Sequence, residues 1–137
     1  MIEKQILNVL QECTQRSMSE TITFPEVVQK LTGAGVEFYY ADYYQHQKTY
    51  YFPNGESHTE QMDPQAFSVP GISKKFSPDK VKDAIGKIQR QEIKYREFLR
   101  LTEAAGVATY AVYIDGKRAV YTGRDGDAYV EWFPGAK

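Results

Sequence analysis

Cysteine, histidine and tryptophan are scarce in this chain: its 137 residues include one cysteine, two histidines and one tryptophan. The single cysteine, Cys13, excludes an intramolecular disulfide and is typical of a reducing compartment. It falls on the apolar face of a predicted helix, which favours a small buried side chain over the alternative of a reactive thiol. Neither His46 nor His58 has a cysteine or another histidine at the spacing of a metal site. We therefore expect no metal and no other cofactor.

Long apolar runs and a strong net charge are also missing. No segment approaches the roughly 20 apolar residues of a membrane-spanning helix. The residues from Met1 to Gln5 lack the charged-then-apolar pattern of a signal peptide, so we expect a cytoplasmic protein. The net charge of −1 gives no overall attraction to nucleic acid or to an anionic membrane. Gly33 and Gly35 follow a predicted helix rather than opening one, so they do not form a phosphate-binding loop.

Tyrosine, in contrast, is abundant, with 11 residues, and the tyrosines recur in two similar stretches. The first stretch runs from Gly35 to Gly55, and the second runs from Gly106 to Gly126, 71 positions later. Helix-ending glycines, strand tyrosines and turn glycines coincide at this offset without a gap. The pattern predicts an internal duplication within a single domain of residues 1–137. Its two units would occupy about 1–62 and 77–133, joined by a loop over 63–76.

Periodicity and capping residues predict two helices and three strands in each unit. Helical spacing indicates helices over 2–16, over 23–35 and over 77–106, the last with a break near Glu92. Tyrosine-rich alternation followed by tight turns indicates the strands. We therefore expect an α+β fold with a mainly antiparallel sheet and helices packed on it. Two-residue turns would give the second unit a core face of Tyr110, Val112, Ile114, Ala119, Tyr121, Val130 and Trp132.

Aromatic, glycine and proline positions form a recognisable set across both halves: Phe24-Pro25, Leu31, Gly35-Val36, Tyr51-Phe52, Asn54-Gly55, Tyr95, Phe98, Ala105-Gly106-Val107, Tyr129-Val130-Glu131 and Phe133-Pro134. This set resembles the YdfO-like family, a bacterial and prophage family of unknown function whose members are often labelled phage envelope protein. The resemblance covers most of the chain from Phe24 onward. It implies a small prophage-associated protein, and it brings no activity, substrate or catalytic residue.

The first predicted hairpin carries the main candidate binding site. Strand alternation divides its aromatic side chains between the two faces of the sheet. On one of these faces, the second unit has small or polar residues at the equivalent positions, so that face needs no cover there. Either the sheet is covered on both sides, or this face is an exposed aromatic patch that contacts a second chain, a ligand or the loop around Phe67 and Phe76. The candidate binding residues are Phe38, Tyr40, Tyr44 and Tyr51.

Residues 74–100 form a basic stretch, with nine lysine and arginine residues against four acidic residues. A row of basic side chains on one helix face can contact phosphates, although a solvated helix face is the alternative. No nucleic-acid-binding motif accompanies the row, and the acidic residues dilute its charge, so we do not expect nucleic acid as the partner. The possible basic face consists of Lys80, Lys87, Arg90 and Lys94.

Two further arrangements involve carboxylates. His58 and Glu60 lie two positions apart on one predicted strand face, where they form either half of a site or a solvated edge pair. Glu60 and Glu131 hold equivalent positions in the two units. They would approach each other if the units pair about a twofold axis, and paired carboxylates can perform acid–base chemistry. Two exposed edge glutamates are the alternative.

The sequence therefore predicts a non-catalytic binding module that uses an aromatic sheet surface. A protein partner, self-association and a small ligand all stay open as what it binds. The alternatives are a nucleic-acid-associated prophage protein that uses the 74–100 stretch, and a small enzyme with a cleft between the two repeats. No residue is assigned a catalytic role.

Overall fold

The computed structural model describes residues 1–68 and 71–136, so part of the predicted 63–76 loop lies outside the described residues. In these ranges the chain forms four α-helices, one short 3₁₀-helix and six strands, which confirms the α+β class. No helix in the described ranges is long and apolar enough to cross a membrane. The elements are α1 Lys4–Met18, α2 Phe24–Gly33, β1 Phe38–Asp42, β2 Gln47–Tyr51, β3 Ser57–Gln61, a 3₁₀-helix Pro64–Ala66, α3 Pro78–Gln89, α4 Tyr95–Ala104, β4 Val107–Tyr113, β5 Arg118–Gly123 and β6 Ala128–Trp132.

The strands form one antiparallel sheet in the order β3-β2-β1-β4-β5-β6. Its centre is the pairing of β1 with β4, in which Tyr40 lies opposite Ala111. These two residues are also 71 positions apart, the offset at which the sequence matches itself. The order of elements and this register agree with the proposed duplication, which stays a hypothesis about the origin of the fold.

Local capping explains where the helices begin and end. The Thr23 side chain accepts a hydrogen bond from the Glu26 amide, and Glu26 accepts one from the Thr23 amide, which is the predicted capping box. Ser77 caps α3, with Pro78 in the first turn. At the other end of α2, Gly35 has φ +84°, and the next amide, that of Val36, donates to the Leu31 carbonyl at 3.0 Å. This left-handed ending reverses the chain into β1.

The predicted register of the last hairpin is wrong by one residue. Tyr121 lies opposite Tyr129 rather than Val130, and Arg118 lies opposite Trp132. The cause is the turn, because the Gly126 amide donates to the Gly123 carbonyl and Gly126 has φ +89°. Three residues therefore separate the paired ends, where the prediction assumed two. Since one residue of shift exchanges the two faces, Val130 and Trp132 leave the predicted core face.

All four helices pack on one face of the sheet, and the core between these layers is rich in tyrosine. Two of the buried phenols pair with threonine hydroxyls: Tyr50 with Thr14 at 2.7 Å, and Tyr43 with Thr102 at 2.7 Å. Burial raises the pKa of both phenols above the usual tyrosine range, so they remain neutral. These tyrosines are structural members of the core. Three more are buried with them: Tyr39, Tyr110 and Tyr121.

The two phenylalanines of the segment between the units, Phe67 and Phe76, lie on the helix side of the sheet. The Phe67 ring stacks on His46, with centroids 4.5 Å apart, and meets the edge of Tyr43. Phe76 lies against Gly106 and Gly123, both of which are buried on the same side. Phe67 and Phe76 therefore do not cover the aromatic face of the first hairpin, and the alternative in which these two residues cover it is wrong.

Candidate functional site

The face of the sheet opposite the helices is open, and it carries large aromatic side chains. Phe38 of β1 lies between Tyr51 of β2 and Tyr113 of β4. Its ring stacks on Tyr51 with a centroid separation of 4.6 Å, and on Tyr113 with a separation of 5.4 Å. The three rings form a continuous row across three strands, which we call the aromatic row. In such a row the faces of neighbouring rings cover one another, and the ring edges remain available for contact.

Tyr40 lies one step further along β1 on the same face, and it is 38% exposed. Its hydroxyl is 3.4 Å from that of Thr109, across the β1–β4 junction. Ala111, which is paired with Tyr40, is only 3% exposed although no helix lies above it. The large side chains around this alanine therefore cover the centre of the sheet. This arrangement leaves a broad, nearly flat aromatic surface rather than a deep pocket.

A depression of about 530 Å³ opens beside the aromatic row. Phe38 and Tyr113 provide its aromatic wall, and Val120 adds an apolar contact. Charged side chains line its rim at one end of the sheet, where the β4–β5 turn lies. They are Glu37, Asp115 and Arg118. The depression thus combines apolar contact area with a few polar groups that can orient a bound partner.

Arg118 extends this surface toward β6. Its guanidinium carbon lies 4.1 Å from the centroid of the Trp132 ring, which is a cation–π contact. Trp132 faces this side only because the three-residue turn shifts β6 by one position. Sequence reasoning placed Trp132 in the core and gave Arg118 and Tyr113 no functional role. Tyr113 can be identified only as the residue that lies beside Phe38 on the neighbouring strand, and that step requires knowing that β1 pairs with β4.

The predicted binding residues do not all come together. Phe38 and Tyr51 are in contact, and Tyr40 lies beside them on the same face. Tyr44 lies in the β1–β2 turn at the other end of the strand, where it is 60% exposed. The Asp42 carboxylate fixes this turn by accepting hydrogen bonds from the Tyr44 and Gln45 amides. The surface therefore has a compact centre and one outlying aromatic side chain.

The predicted basic face is divided between two helices. Lys80 and Lys87 belong to α3, Arg90 caps its end, and Lys94 precedes α4 after a turn in which Gln91 has φ +61°. The Arg90 side chain pairs with Glu92, with a nitrogen–oxygen distance of 2.6 Å. Lys87 lies 3.3 Å from the Asp83 carboxylate. The α3 surface is thus a mixed-charge surface rather than a continuous basic row.

The two carboxylate arrangements have different outcomes. Glu60 lies on β3 and Glu131 on β6, the outermost strands of the sheet. Five strand spacings separate them, or roughly 24 Å, so the alternative in which the two carboxylates pair is wrong, and the two glutamates lie on separate edges. His58 and Glu60 do interact, with 2.6 Å between the His58 Nε2 and the Glu60 Oε2 atoms. Within the described residues, no three histidine, cysteine, aspartate or glutamate side chains group as a metal site requires.

Two buried charged residues on the helix side escaped sequence reasoning. Lys48 of β2 is 2% exposed, and its ammonium lies 4.6 Å from the centroid of the Tyr95 ring. This cation–π contact replaces part of the lost hydration. Glu103 of α4 is 2% exposed, and its carboxylate accepts the Ser68 amide at 2.7 Å. Burial raises the pKa of Glu103 above the usual glutamate range.

The family comparison extends over both halves of the sheet. A family model described as "Protein of unknown function (DUF1398)" matches residues 23–131. The chain belongs to the DUF1398 family. The matched range contains the whole aromatic row and Tyr40, whereas α1 lies before it. No curated protein matches the chain. These comparisons bring no activity to this DUF1398 protein, and the open face of its sheet is its main candidate surface.

Proposed function

We propose that this protein is a non-catalytic binding module, and that the open face of its sheet binds a protein partner. The observation that carries the proposal is the aromatic row of Phe38, Tyr51 and Tyr113 on a face without helices. Exposed clusters of large apolar side chains are uncommon on monomeric proteins and mark interaction surfaces. Tyrosine and phenylalanine are also the residue types enriched at the centres of protein interfaces.

The charge on this face supports a protein partner over nucleic acid. Among the strand residues that point to it, Asp42 and Arg118 are the charged ones, and Arg118 already lies against Trp132. Proteins that stack single-stranded bases on aromatic side chains also need a positive groove for the phosphates. Here the aromatic row is surrounded by hydroxyl groups and small apolar side chains. These are Thr49, Thr59, Thr109, Val120 and Thr122.

The size of the open face limits the affinity that we expect for the complex. Six strands spaced about 4.8 Å apart and five residues long give an area of roughly 24 Å by 17 Å. Specific interfaces typically use about 800 Å² on each partner, so this face alone suits a weak or transient complex. The depression beside Phe38 offers a site for one anchoring side chain of the partner.

The proposed role leaves several finer predictions as they were. The YdfO-like resemblance, a prophage-associated role and a cytoplasmic location stay predictions. So do the alternatives of a nucleic-acid-associated protein using the 74–100 stretch and of a small enzyme. A binding module requires no catalytic group, and the buried Tyr43 and Tyr50 fit it because their hydroxyls are paired with threonines.

Site-specific photo-crosslinking tests the proposal. Replacing Tyr40 by benzoylphenylalanine places a photoreactive ring on the open face, where the native side chain is 38% exposed. Phe24 is the matched control, because it is aromatic and 42% exposed but begins α2 on the helix side. In cells, we expect discrete protein adducts from position 40 that position 24 does not give. Adducts with nucleic acid, or the same adducts from both positions, would argue against a protein-binding face.

A charge substitution provides an independent test. Tyr40→Arg should abolish capture of the identified partner without unfolding the chain, because the new side chain reaches solvent. Circular dichroism and the thermal midpoint would check the fold. A variant that folds and still binds the partner with unchanged affinity would contradict the assignment of this face.

A further inference from the structure

The outer edge of β6 is a row of free backbone hydrogen-bonding groups. The Phe133 amide donates to the Lys117 carbonyl, and the Gly123 amide donates to the Asp127 carbonyl. The odd-numbered residues of this end of the chain therefore direct their backbone groups toward β5. Because backbone groups alternate along a strand, Ala128, Val130 and Trp132 direct theirs away from the sheet. In the described part of the chain, no hydrogen bond between different elements uses these outward groups.

This edge has only part of the usual protection against pairing. Natural edge strands carry lysine, proline, a bulge or an inward charge to prevent association. β6 contains no lysine or proline, and its pairing with β5 is regular over all five residues. Its one charged side chain, Glu131, lies on the helix-side face and leaves the outward backbone groups uncovered. Val130, at the centre of the edge, is 42% exposed. The other edge strand, β3, directs only polar side chains to the open face, namely Ser57, Thr59 and Gln61.

We propose that β6 pairs with β6 of a second copy of this chain, in antiparallel orientation about a twofold axis at Val130. In this register Val130 faces its own copy, and Ala128 faces Trp132 of the partner. Each of these positions has outward amide and carbonyl groups, so the pairing forms six hydrogen bonds between the chains. The two six-stranded sheets become one sheet of twelve strands.

The symmetry of the β6 edge favours a second copy as the occupant. The outward backbone groups belong to Ala128, Val130 and Trp132, which are spaced evenly about Val130, so a second β6 strand in antiparallel orientation pairs with all of them and leaves none over. The side chains of α3 beside this edge line a groove of about 390 Å³ together with Glu131. Their charges are mixed, because Asp83 pairs with Lys87 and Arg90 pairs with Glu92 within the chain.

Proline at the centre of the edge tests the pairing without touching bonds inside the chain. Val130→Pro removes an amide that points outward, and proline is tolerated at such edge positions. Thr59→Pro is the matched control, because the Phe52 amide donates to the Glu56 carbonyl, which places the backbone groups of the odd-numbered β3 residues on the outer edge. Circular dichroism and thermal unfolding establish that both variants fold. If Val130→Pro fails to fold, Val130→Lys on the same edge serves in its place.

Sedimentation velocity over a concentration series gives the main result. We expect the wild-type chain and Thr59→Pro to dimerise with equal affinity. Val130→Pro should weaken the dimer by roughly thirtyfold, since it removes two hydrogen bonds and each costs about a factor of five at the usual net strength. A wild-type chain that stays monomeric at 100 μM, or a dimer that neither β6 variant weakens, would overturn the proposal.

Amide hydrogen exchange locates the interface. The amides of Ala128, Val130 and Trp132 should become more protected as the protein concentration rises, whereas the outward amides of β3 should not. Protection confined to β3 would instead assign the contact to the β3 edge and would overturn the proposal. Tyr40→Arg on the open face should leave the dimer intact, so this test fails or succeeds independently of the proposed partner site.

Discussion

Gly35 and Gly106 hold equivalent positions after α2 and α4, yet alanine should have unequal effects at the two sites. Both residues have left-handed backbone angles, with φ +84° and +98°. A residue with a Cβ atom is disfavoured there by about 1–2 kcal/mol. The space around them differs. A Cβ at Gly35 would meet no atom within 4 Å, whereas one at Gly106 would lie 2.5 Å from the Lys75 carbonyl oxygen and 2.7 Å from the Phe76 Cα.

The magnitudes follow from these two terms. Gly35→Ala should lower the free energy of unfolding by about 1–2 kcal/mol, the backbone term alone. Gly106→Ala adds a collision with main-chain atoms that cannot rotate away, and overpacking of this kind costs about 1–3 kcal/mol. Its total should therefore be roughly 2–5 kcal/mol.

Urea unfolding followed by circular dichroism measures both variants. The difference between them is the informative quantity, because it isolates the contact with the 75–76 backbone. Gly35→Asn serves as a control, since asparagine tolerates the left-handed region and should recover part of the loss. Equal losses for the two alanine variants would refute the assigned contact at Gly106. A loss near zero for both would refute the shared helix-ending role.

Three further predictions concern charge and ionisation. Glu103→Gln should stabilise the protein at pH 7 but not at pH 4. Burial raises the pKa of Glu103 in the folded state, so the wild-type chain loses stability as the pH rises from the unfolded-state pKa toward the folded-state pKa. Urea unfolding midpoints of both chains at the two pH values measure the effect. Equal midpoint differences at the two pH values would contradict this. Charge reversals at Lys87 and Arg90 should leave DNA binding weak and unchanged at physiological salt in an anisotropy titration, since both cations already pair with acidic neighbours. Tight, sequence-dependent DNA binding by the wild-type chain would contradict that expectation. Alkaline titration should show one cooperative unfolding step, in which tyrosinate absorbance and loss of circular dichroism coincide. The reason is that burial raises the pKa of the core phenols, so the stability of the fold decreases as the pH rises above the usual tyrosine pKa. Tyrosinate absorbance that develops smoothly while the chain stays folded would disprove this prediction. The phenols concerned are Tyr39, Tyr43, Tyr50, Tyr110 and Tyr121.

The sequence predicts the helices and strands of this fold better than it predicts which residues and strands lie next to one another. Local signals were sufficient for the capping box at Thr23 and Glu26 and for the pairing of Tyr110 with Tyr121, both of which are confirmed. The last hairpin failed because Asp125-Gly126 suits a two-residue turn as well as a three-residue turn with a left-handed third residue. A turn sequence does not distinguish these geometries, and one residue of register moves Trp132 from the core to the open face.

The candidate surface required information that the sequence does not contain. Alternation correctly separated Tyr39 from Tyr40, because it depends only on the pleat of one strand. The aromatic row also needs the pairing of β1 with β4, which brings Tyr113 against Phe38 across 75 positions of sequence. Non-local pairing of this kind is decided by packing of the whole sheet. For the same reason the sequence could not decide between a pairing of Glu60 with Glu131 and two separate edge glutamates, whereas the strand order places the two residues at opposite edges.

The two proposed interfaces depend on different physical terms, and together they predict an assembly effect. The open face would bind through apolar contact, whereas the β6 edge would pair through backbone hydrogen bonds. A β6-paired dimer places two aromatic rows on one side of a continuous sheet. A partner with two copies of the recognised element would then bind both rows, and its second contact would form at a high effective concentration. Val130→Pro should therefore weaken a bivalent partner strongly and a monovalent one not at all, while Tyr40→Arg should weaken both. Equal effects of Val130→Pro on the two partners would show that the edge and the face do not cooperate.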